Sequence, residues 1–453
     1  MRAISLHDTR SGRILALRPR DAGKVGIYAC GPTVYGRIHV GNARPFVVFS
    51  VLKRFLEHEG HEVTLVINIT DVNDKIFDAA RAAGVPSVQL AREMTARYLE
   101  DTDRLELGRP DSEPLASETI GPIVALIERL VERGHAYAAE GDVYFSVGSW
   151  PPYGSLSHQD SASMDQGEGV EGSERKRDPR DFALWKARKA DEDAWWESPW
   201  GEGRPGWHIE CSAMAQELLG LDFDVHGGGS DLVFPHHENE AAQTEAAHDG
   251  VALARLWVHN GMVQMGEEKM AKSVGNIRLL HRALDEFGRD ALIVYFLAGH
   301  YRQPVAFSAE RLKEAGARAN RIREAARRLV RSPSPVELAA LRERFFDALA
   351  HDFNTPDALA VIAEWIREAN RRGGEVGDAD LREMLGVLGL GRLVEAGTEE
   401  GEAGERVAEL VSRREQARAS RDFTAADRLR EEIGAAGWEV RDGPAGPELV
   451  RAP

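Results

Sequence analysis

Apolar residues recur along this chain with two different periods. Residues 24–29 form an apolar run of inner-strand length, and residues 61–69 alternate before turning continuously apolar, as a second buried strand would. Between them Phe46, Val47, Phe49, Val51, Leu52, Phe55 and Leu56 share one broad face of a helix predicted over 43–57, with Pro45 in its first turn. Strand, helix, strand predicts a parallel pair with a right-handed crossover. Ligands bind such sheets beyond the carboxyl ends of the strands, where His39 and Thr70 project. Residues 84–109 and 117–134 carry a helical period, 141–157 reads as short strands broken by Pro151-Pro152, and the sheet resumes near 223–226 and 257–263. Residues 159–179, polar and almost without aliphatics, predict a flexible loop.

After Ser273 the period is helical: 279–297, then 309–329, 335–350, 356–371 and 378–388, an α-helical bundle. A Gly/Glu-rich stretch at 395–405 predicts a linker. Residues 406–434 predict two more helices, and 438–450 a hairpin with Gly443-Pro444 and Gly446-Pro447 as turn signals.

The length of 453 residues implies two to four domains. No apolar run reaches membrane-spanning length, and Met1-Arg2-Ala3-Ile4-Ser5 has no apolar signal core, so a cytoplasmic protein without membrane contact is expected. The net charge of −17 excludes coating of nucleic acid by bulk attraction but leaves room for a local basic track. Arg318, Arg321, Arg323, Arg327, Arg328 and Arg331 are either such a track or a solvated helix face with Glu324 beside it. Two cysteines, Cys30 and Cys211, are too few for a disulfide framework.

Two segments carry phosphate chemistry. His39-Val40-Gly41-Asn42 ends a strand and turn and opens a helix, where unpaired N–H groups and the positive end of a dipole attract anions. Lys269-Met270-Ala271-Lys272-Ser273 puts two lysines three apart in a Gly-containing stretch; the bland reading is solvated loop charge. In Gly227–Asp231 the glycines allow backbone to approach a ligand and Asp231 can accept from ribose hydroxyls; an ordinary Gly-rich turn is the alternative.

The two segments resemble the HIGH and KMSKS signatures of class I aminoacyl-tRNA synthetases. Around them, Tyr28-Ala29-Cys30-Gly31-Pro32-Thr33-Val34-Tyr35, Gly206-Trp207-His208-Ile209-Glu210-Cys211-Ser212-Ala213-Met214, His226-Gly227-Gly228-Gly229-Ser230-Asp231-Leu232-Val233-Phe234-Pro235-His236-His237-Glu238-Asn239-Glu240 and Asp422-Phe423-Thr424-Ala425-Ala426-Asp427-Arg428-Leu429-Arg430 resemble the cysteinyl-tRNA synthetases. Two positions depart from the generic signatures: Asn42 stands for the second His of HIGH and Ala271 for the first Ser of KMSKS.

The resemblance implies a Rossmann-like, parallel-sheet catalytic domain in two halves (1–112 and 204–265) split by a connective insertion (113–203). A KMSKS and stem-contact region (266–308), the helical bundle (309–394), the linker (395–405) and a small C-terminal α+β anticodon-binding module (406–453) follow. It also implies one Zn2+ per chain at Cys30, Cys211, His236 and Glu240, the last two four apart and so co-directed on a helix, with His208 and His237 as further ligands or bystanders. A thiolate is a soft, strong ligand and an alcohol is not, so such a metal would tell cysteine from serine where an apolar pocket would not. A site closed by four protein ligands is the structural alternative. His39, Asn42, Lys269 and Lys272 would act on the phosphates; Thr33, Gly41, Gly229 and Asp231, with Lys272, would bind ATP and its Mg2+; Thr70, Trp207 and His236 would hold the amino acid. The implied partners of a monomer are L-cysteine, ATP and tRNA(Cys). A cysteine ligase of the mycothiol-pathway type, joining cysteine to an amino-sugar, would keep the metal and both motifs but need no tRNA-reading tail.

Overall fold

The structure is a computed structural model that describes residues 2–159, 173–265, 268–269, 278–372, 374–419, 422–435, 438–443 and 446–451. It opens with a hairpin, β1 (Ser5–Asp8) and β2 (Arg13–Ala16), absent from the sequence expectation. Then come β3 (Lys24–Ala29), α1 (Val40–His58) and β4 (Glu62–Ile67), with β3 and β4 parallel as expected, Lys24 opposite Glu62 through Ala29 opposite Ile67. The apolar face of α1 is buried over its whole length. α1 begins earlier than the apolar period suggests, so Pro45 falls in its second turn, not its first. There its ring nitrogen cannot donate to the Gly41 carbonyl.

α2 (Asp74–Ala83), another element the period did not reveal, and α3 (Ser87–Asp103) follow. α4 (Ile120–Glu132) leads into a second, antiparallel sheet in the order β5 (Ala136–Ala139), β6 (Asp142–Phe145), β7 (Phe182–Ala187), β8 (Gly203–Pro205). This sheet has its own core around Ile123, Ile127, Phe145, Phe182 and Trp185. Lys186 of β7 and Arg204 of β8 both pair with Asp74, tying it to α2. The flexible loop expected at 159–179 lies largely outside the described residues.

α5 (Trp207–Leu219), β9 (Phe223–Gly229), α6 (Glu238–Ala247) and β10 (Ala254–Asn260) complete the main sheet, whose order is β10-β9-β3-β4, all parallel. β11 (Val263–Met265) turns back through β12 (Glu268–Lys269), after which α7 (Leu280–Phe287), α8 (Arg289–Leu297) and β13 (Val305–Ala306) lead to the bundle α9 (Ala309–Ala326), α10 (Ala339–Ala350), α11 (Thr355–Arg372) and α12 (Ala379–Val387). Its Phe345, Phe346 and Trp365 share one core with Phe55 of α1, so the bundle is packed onto the nucleotide sheet. Of the arginine track on and after α9, Arg323 bonds Asp290 at 3.0 Å, while Arg318, Arg321, Arg327, Arg328 and Arg331 are exposed.

The linker expected at 395–405 is instead part of α13 (Arg392–Ala419). Glu and Ala are strong helix formers, and the three glycines of that stretch cost only about 1 kcal/mol each. α14 (Phe423–Ala435) and the hairpin β14 (Trp438–Gly443) and β15 (Gly446–Arg451) end the chain as expected. Among the described residues no helix is long and apolar enough to cross a membrane.

The far end of α1 is fastened by Glu59, whose carboxylate accepts from the Arg2 backbone N–H at 3.0 Å and from its guanidinium at 2.7 Å. Burial works to raise this carboxyl, yet the Arg2 bonds hold it below the usual glutamate range. A depressed acid stabilises the fold above its unfolded pKa of about 4.3, and that contribution disappears as the pH falls through the folded value. Glu59→Gln should therefore cost about 2 kcal/mol at neutral pH. The gap should start to narrow as the pH falls below the unfolded pKa of about 4.3 and close only once the pH is below the depressed folded value. Denaturant unfolding at neutral pH and below that folded value checks this; an equal gap at both would refute it.

Candidate active site

A cleft of 680 Å³ opens at the carboxyl ends of the parallel strands, where Ala29, Ile67, Gly229 and Asn260 reach its wall. His39 and Asn42 stand on one side, at the first turn of α1. They cap each other: His39 Nδ1 accepts the Asn42 N–H at 3.3 Å, and Asn42 Oδ1 accepts the His39 N–H at 3.2 Å. A ring that accepts at Nδ1 carries its proton on Nε2, and an amide that accepts through Oδ1 has its NH2 to offer elsewhere. The cap thus orients two donors. Gly41 is needed between them, because a Cβ there would lie 2.9 Å from the His39 ring.

Thr33, Gly41, Trp207, Gly229 and Asp231 also line the cleft, and so do two cations the sequence did not suggest, Arg37 and Lys75. Thr70 does not line it; it is buried behind Thr33, pairs with it through backbone, and donates its hydroxyl to Glu210 at 3.2 Å. The glycine run also differs in part from expectation. Gly227 makes room for the core and not for a ligand, since a Cβ there would sit 2.0 Å from the Phe49 ring. Lys269 ends β12, with its backbone paired to Gln264; Lys272 lies outside the described residues.

Behind the cleft wall, which Cys30 reaches but Cys211, His236 and Glu240 do not, the elements converge on a buried polar cluster. Cys30 follows β3, Cys211 lies one turn into α5, His236 sits in the turn before α6, and Glu240 is in the first turn of α6. One ligand atom from each falls within 4.8 Å of all the others, and all four residues are buried. His236 Nε2 is 3.0 Å from Glu240 Oε1, and Cys30 Sγ is 3.5 Å from the same oxygen. A second grouping of Cys30, His226, His237 and Glu240 meets the same 4.8 Å limit. His226, which sequence reasoning passed over as a site residue, places Nε2 2.8 Å from Glu240 Oε2 and stacks on Trp257 at 4.5 Å. Its only sequence signal was strand alternation, which turns it to the face opposite Gly227.

Further histidines brace the cluster. His208 Nδ1 is 2.9 Å from His236 Nδ1, and His237 Nδ1 is 2.7 Å from His259 Nε2. Such contacts fix the tautomer and orientation of a coordinating ring. Trp207 lies over His236 with ring centroids 4.2 Å apart.

The electrostatics suit a cation. Burial, then Cys211 and Glu240, push the Cys30 thiol well up. Burial also works against ionisation of Cys211 and Glu240, yet both are pulled down, Cys211 by Cys30 and His236, and Glu240 by His226 and His236. Burial lowers His237 and His259, keeping them neutral. Two sulfurs, one imidazole and one carboxylate form a donor set appropriate to zinc, and the protons crowded among them are those a divalent ion would displace.

Comparison with known proteins agrees with this geometry. Residues 16–317 match the family model of the class I (C) tRNA synthetase catalytic domain, 344–391 the DALR domain, and 400–447 the cysteinyl-tRNA ligase anticodon binding domain. The chain is 45% identical over 98% of its length to the cysteine–tRNA ligase of Alkalilimnicola ehrlichii, covering 98% of that protein. It is 40% identical over 99% of its length to that of Caldicellulosiruptor saccharolyticus, covering all of it. In fold it resembles the methionyl-tRNA synthetase of Mycobacterium tuberculosis solved with methionyl-adenylate, with a TM-score of 0.59 at 17% identity over 89% of this chain and 96% of that one. A parallel sheet with a class I synthetase fold, helical domains at the C-terminal side, and near full-length identity to named ligases together mean that the chain belongs to the cysteine–tRNA ligase family.

Proposed function

We propose that this chain attaches L-cysteine to tRNA(Cys) through a cysteinyl-adenylate, with Zn2+ held by Cys30, Cys211, His236 and Glu240 selecting the substrate thiol. The observation that carries this reading is the meeting of both cysteines of the chain, one histidine and one glutamate behind the wall of a cleft whose rim holds the capped His39–Asn42 pair. The grouping with Cys211 and His236 is preferred over that with His226 and His237 because it supplies two sulfurs, and His226 is already engaged with the outer oxygen of Glu240. A zinc ion there supplies a soft Lewis acid that favours a thiolate over an alcohol. The protein's part is to exclude water with Trp207 over His236 and to hold the ligands through His226 and His208.

In the first step the cysteine carboxylate attacks the α-phosphate of ATP and expels pyrophosphate. The nucleophile is already ionised, so positioning and charge stabilisation dominate. His39 Nε2–H and the Asn42 amide donate to the phosphate oxygens, and Lys269 and Lys272 neutralise the departing pyrophosphate, a charge that Mg2+ brought with ATP would share. Thr33, Gly41 and Gly229 border the nucleotide, and Asp231 receives the ribose hydroxyls. Thr70 supports the amino-acid subsite from behind Thr33, while Trp207, which lines the cleft over His236, covers the substrate side chain. In the second step the terminal adenosine of the tRNA attacks the mixed anhydride through its 2′-hydroxyl and AMP leaves. The matched anticodon-binding region at 400–447 favours tRNA over an amino-sugar as the acceptor. The same reading has a monomer working in the cytoplasm, with domain limits as the sequence suggests except that α13 joins the bundle to the C-terminal module without a linker.

The test is amino-acid-dependent ATP–pyrophosphate exchange with each of the twenty amino acids, with and without a chelator. Exchange is expected with cysteine, to be lost on chelation and restored by zinc. Strong serine-dependent exchange by the intact protein would overturn the selection mechanism.

A further inference from the structure

Arg44 is a fully buried cation to which, among the described residues, no carboxylate is bonded. It follows Asn42 by two residues on α1, yet among the described residues its guanidinium donates only to backbone: to the Gly261 carbonyl at 2.5 Å, to Met262 at 3.4 Å and to His300 at 3.2 Å. Burying an arginine without a counter-ion is costly even when carbonyls accept its protons. Its neighbours Ala43, Phe46 and Val47 are apolar and buried, so the packing of α1 alone does not call for a cation here.

The position of those carbonyls supplies the reason. Gly261 and Met262 line the cleft, follow β10 and lead directly into β11, which pairs with β12 and its Lys269. Gly261 is further pinned against the 301–304 segment: its N–H donates to the Tyr301 carbonyl at 2.7 Å, and a Cβ would lie 2.3 Å from the Gln303 backbone. On the far side of residues 266–277, the Val40 N–H donates to the Arg278 carbonyl at 2.9 Å and the Leu280 N–H to the Ile38 carbonyl at 3.0 Å. Both flanks of the lysine segment are therefore fastened to the start of α1, the downstream flank by backbone and the upstream flank by one side chain.

We propose that Arg44 is a positioning residue for adenylate formation, setting the distance between the His39–Asn42 donors on α1 and β11, the strand from which the chain runs on towards the lysines. The inference rests on the proposed roles of those donors and lysines. A guanidinium suits the task because its planar fork reaches three carbonyls at once, whereas a lysine ammonium would serve fewer and lose its charge more readily when buried. Methionine fills the volume and donates nothing.

The test uses full-length R44K, R44M, K272A and the R44M/K272A double variant, measured by cysteine-dependent pyrophosphate exchange and by melting temperature. In R44M, kcat is expected to fall about ten- to hundredfold, because small misplacement of reacting groups has effects of that size. The KM for cysteine should stay near its normal value, and R44K should recover part of kcat. In the K272A background R44M should cost clearly less than it does alone, since one of the two lysines it positions is gone. Normal kcat in both Arg44 variants, multiplying losses in the double variant, or a KM for cysteine that rises in step with the loss of kcat would each overturn the proposal. A K272A variant with full activity would instead overturn the lysine reading on which it rests. If R44M melts too low to assay, R44K and its double variant with K272A decide by the same criteria.

Discussion

Cys211→Ser is expected to release the metal and to remove cysteine-dependent exchange almost entirely. Serine preserves the size of the side chain but stays protonated at neutral pH, so one of two anionic sulfurs is replaced by a weak neutral donor. Losing an outer partner of a metal ligand already costs about 10- to 100-fold in affinity, and losing a ligand should exceed about 100-fold. His226→Gln provides the contrast. It replaces the imidazole that meets Glu240 Oε2 at 2.8 Å and stacks on Trp257 with a flexible neutral amide, a weaker brace, and leaves the four proposed ligands. Its metal affinity should drop about 10- to 100-fold, with activity recovered by added zinc. Metal content by atomic absorption together with exchange rates distinguishes the two. A Cys211→Ser protein that keeps stoichiometric metal and normal exchange would defeat the proposed centre, and a His226→Gln protein inactive at saturating zinc would make His226 more than a brace.

The second large effect is expected at His39. This residue has two duties in the structure, capping α1 through Nδ1 and facing the cleft. His39→Ala removes both and should cost about 1 kcal/mol in stability through the lost cap. His39→Asn keeps a good capping side chain but cannot reach as far as the imidazole Nε2. Both variants should lose about 100- to 1,000-fold in kcat for exchange, the size found when one preorganised donor to a charged transition state is deleted. Only the alanine variant should melt earlier. Near-normal exchange in the stable asparagine variant would mean that the histidine acts as a cap and not on phosphate.

Where local pattern was strong, the expectation and the structure coincide. The apolar stripe from Phe46 to Leu56 is a core-facing helix, the short runs at 24–29 and 61–69 are parallel strands, and the polar-capped repeats after 309 are bundle helices. Each buries a continuous face, and burial imposes its period on the sequence. The failures arose where period carries less information. α2 buries only Ile76, Phe77 and Ala80, too few to mark a period. β1 and β2 are four residues each, and β2 buries none of its own. At 395–405 glycine was weighted as a breaker, although glutamate and alanine around it sustain α13.

The candidate site divides in the same way. The residue types in this chain, with two thiols and no more, a His-rich string around Glu240 and two phosphate-suited segments, suggested the chemistry only together with the family resemblance of the motifs around them, although few other side chains can bind a soft metal or a triphosphate. Which histidine meets which oxygen was beyond the linear order. His226, His236, His208 and His237 are equivalent as letters, and only the packing of β9, α5 and α6 sends His226 to one oxygen of Glu240 and His236 to the other. Arg44 belongs to the same category. In the sequence it is one more cation on a helix; a cation becomes a clamp only when folding removes its water and leaves three carbonyls to replace it. Composition and period act through each residue's own chemistry and nearest neighbours, whereas desolvation and ligand geometry depend on segments hundreds of residues apart, and those exist together only in the folded chain.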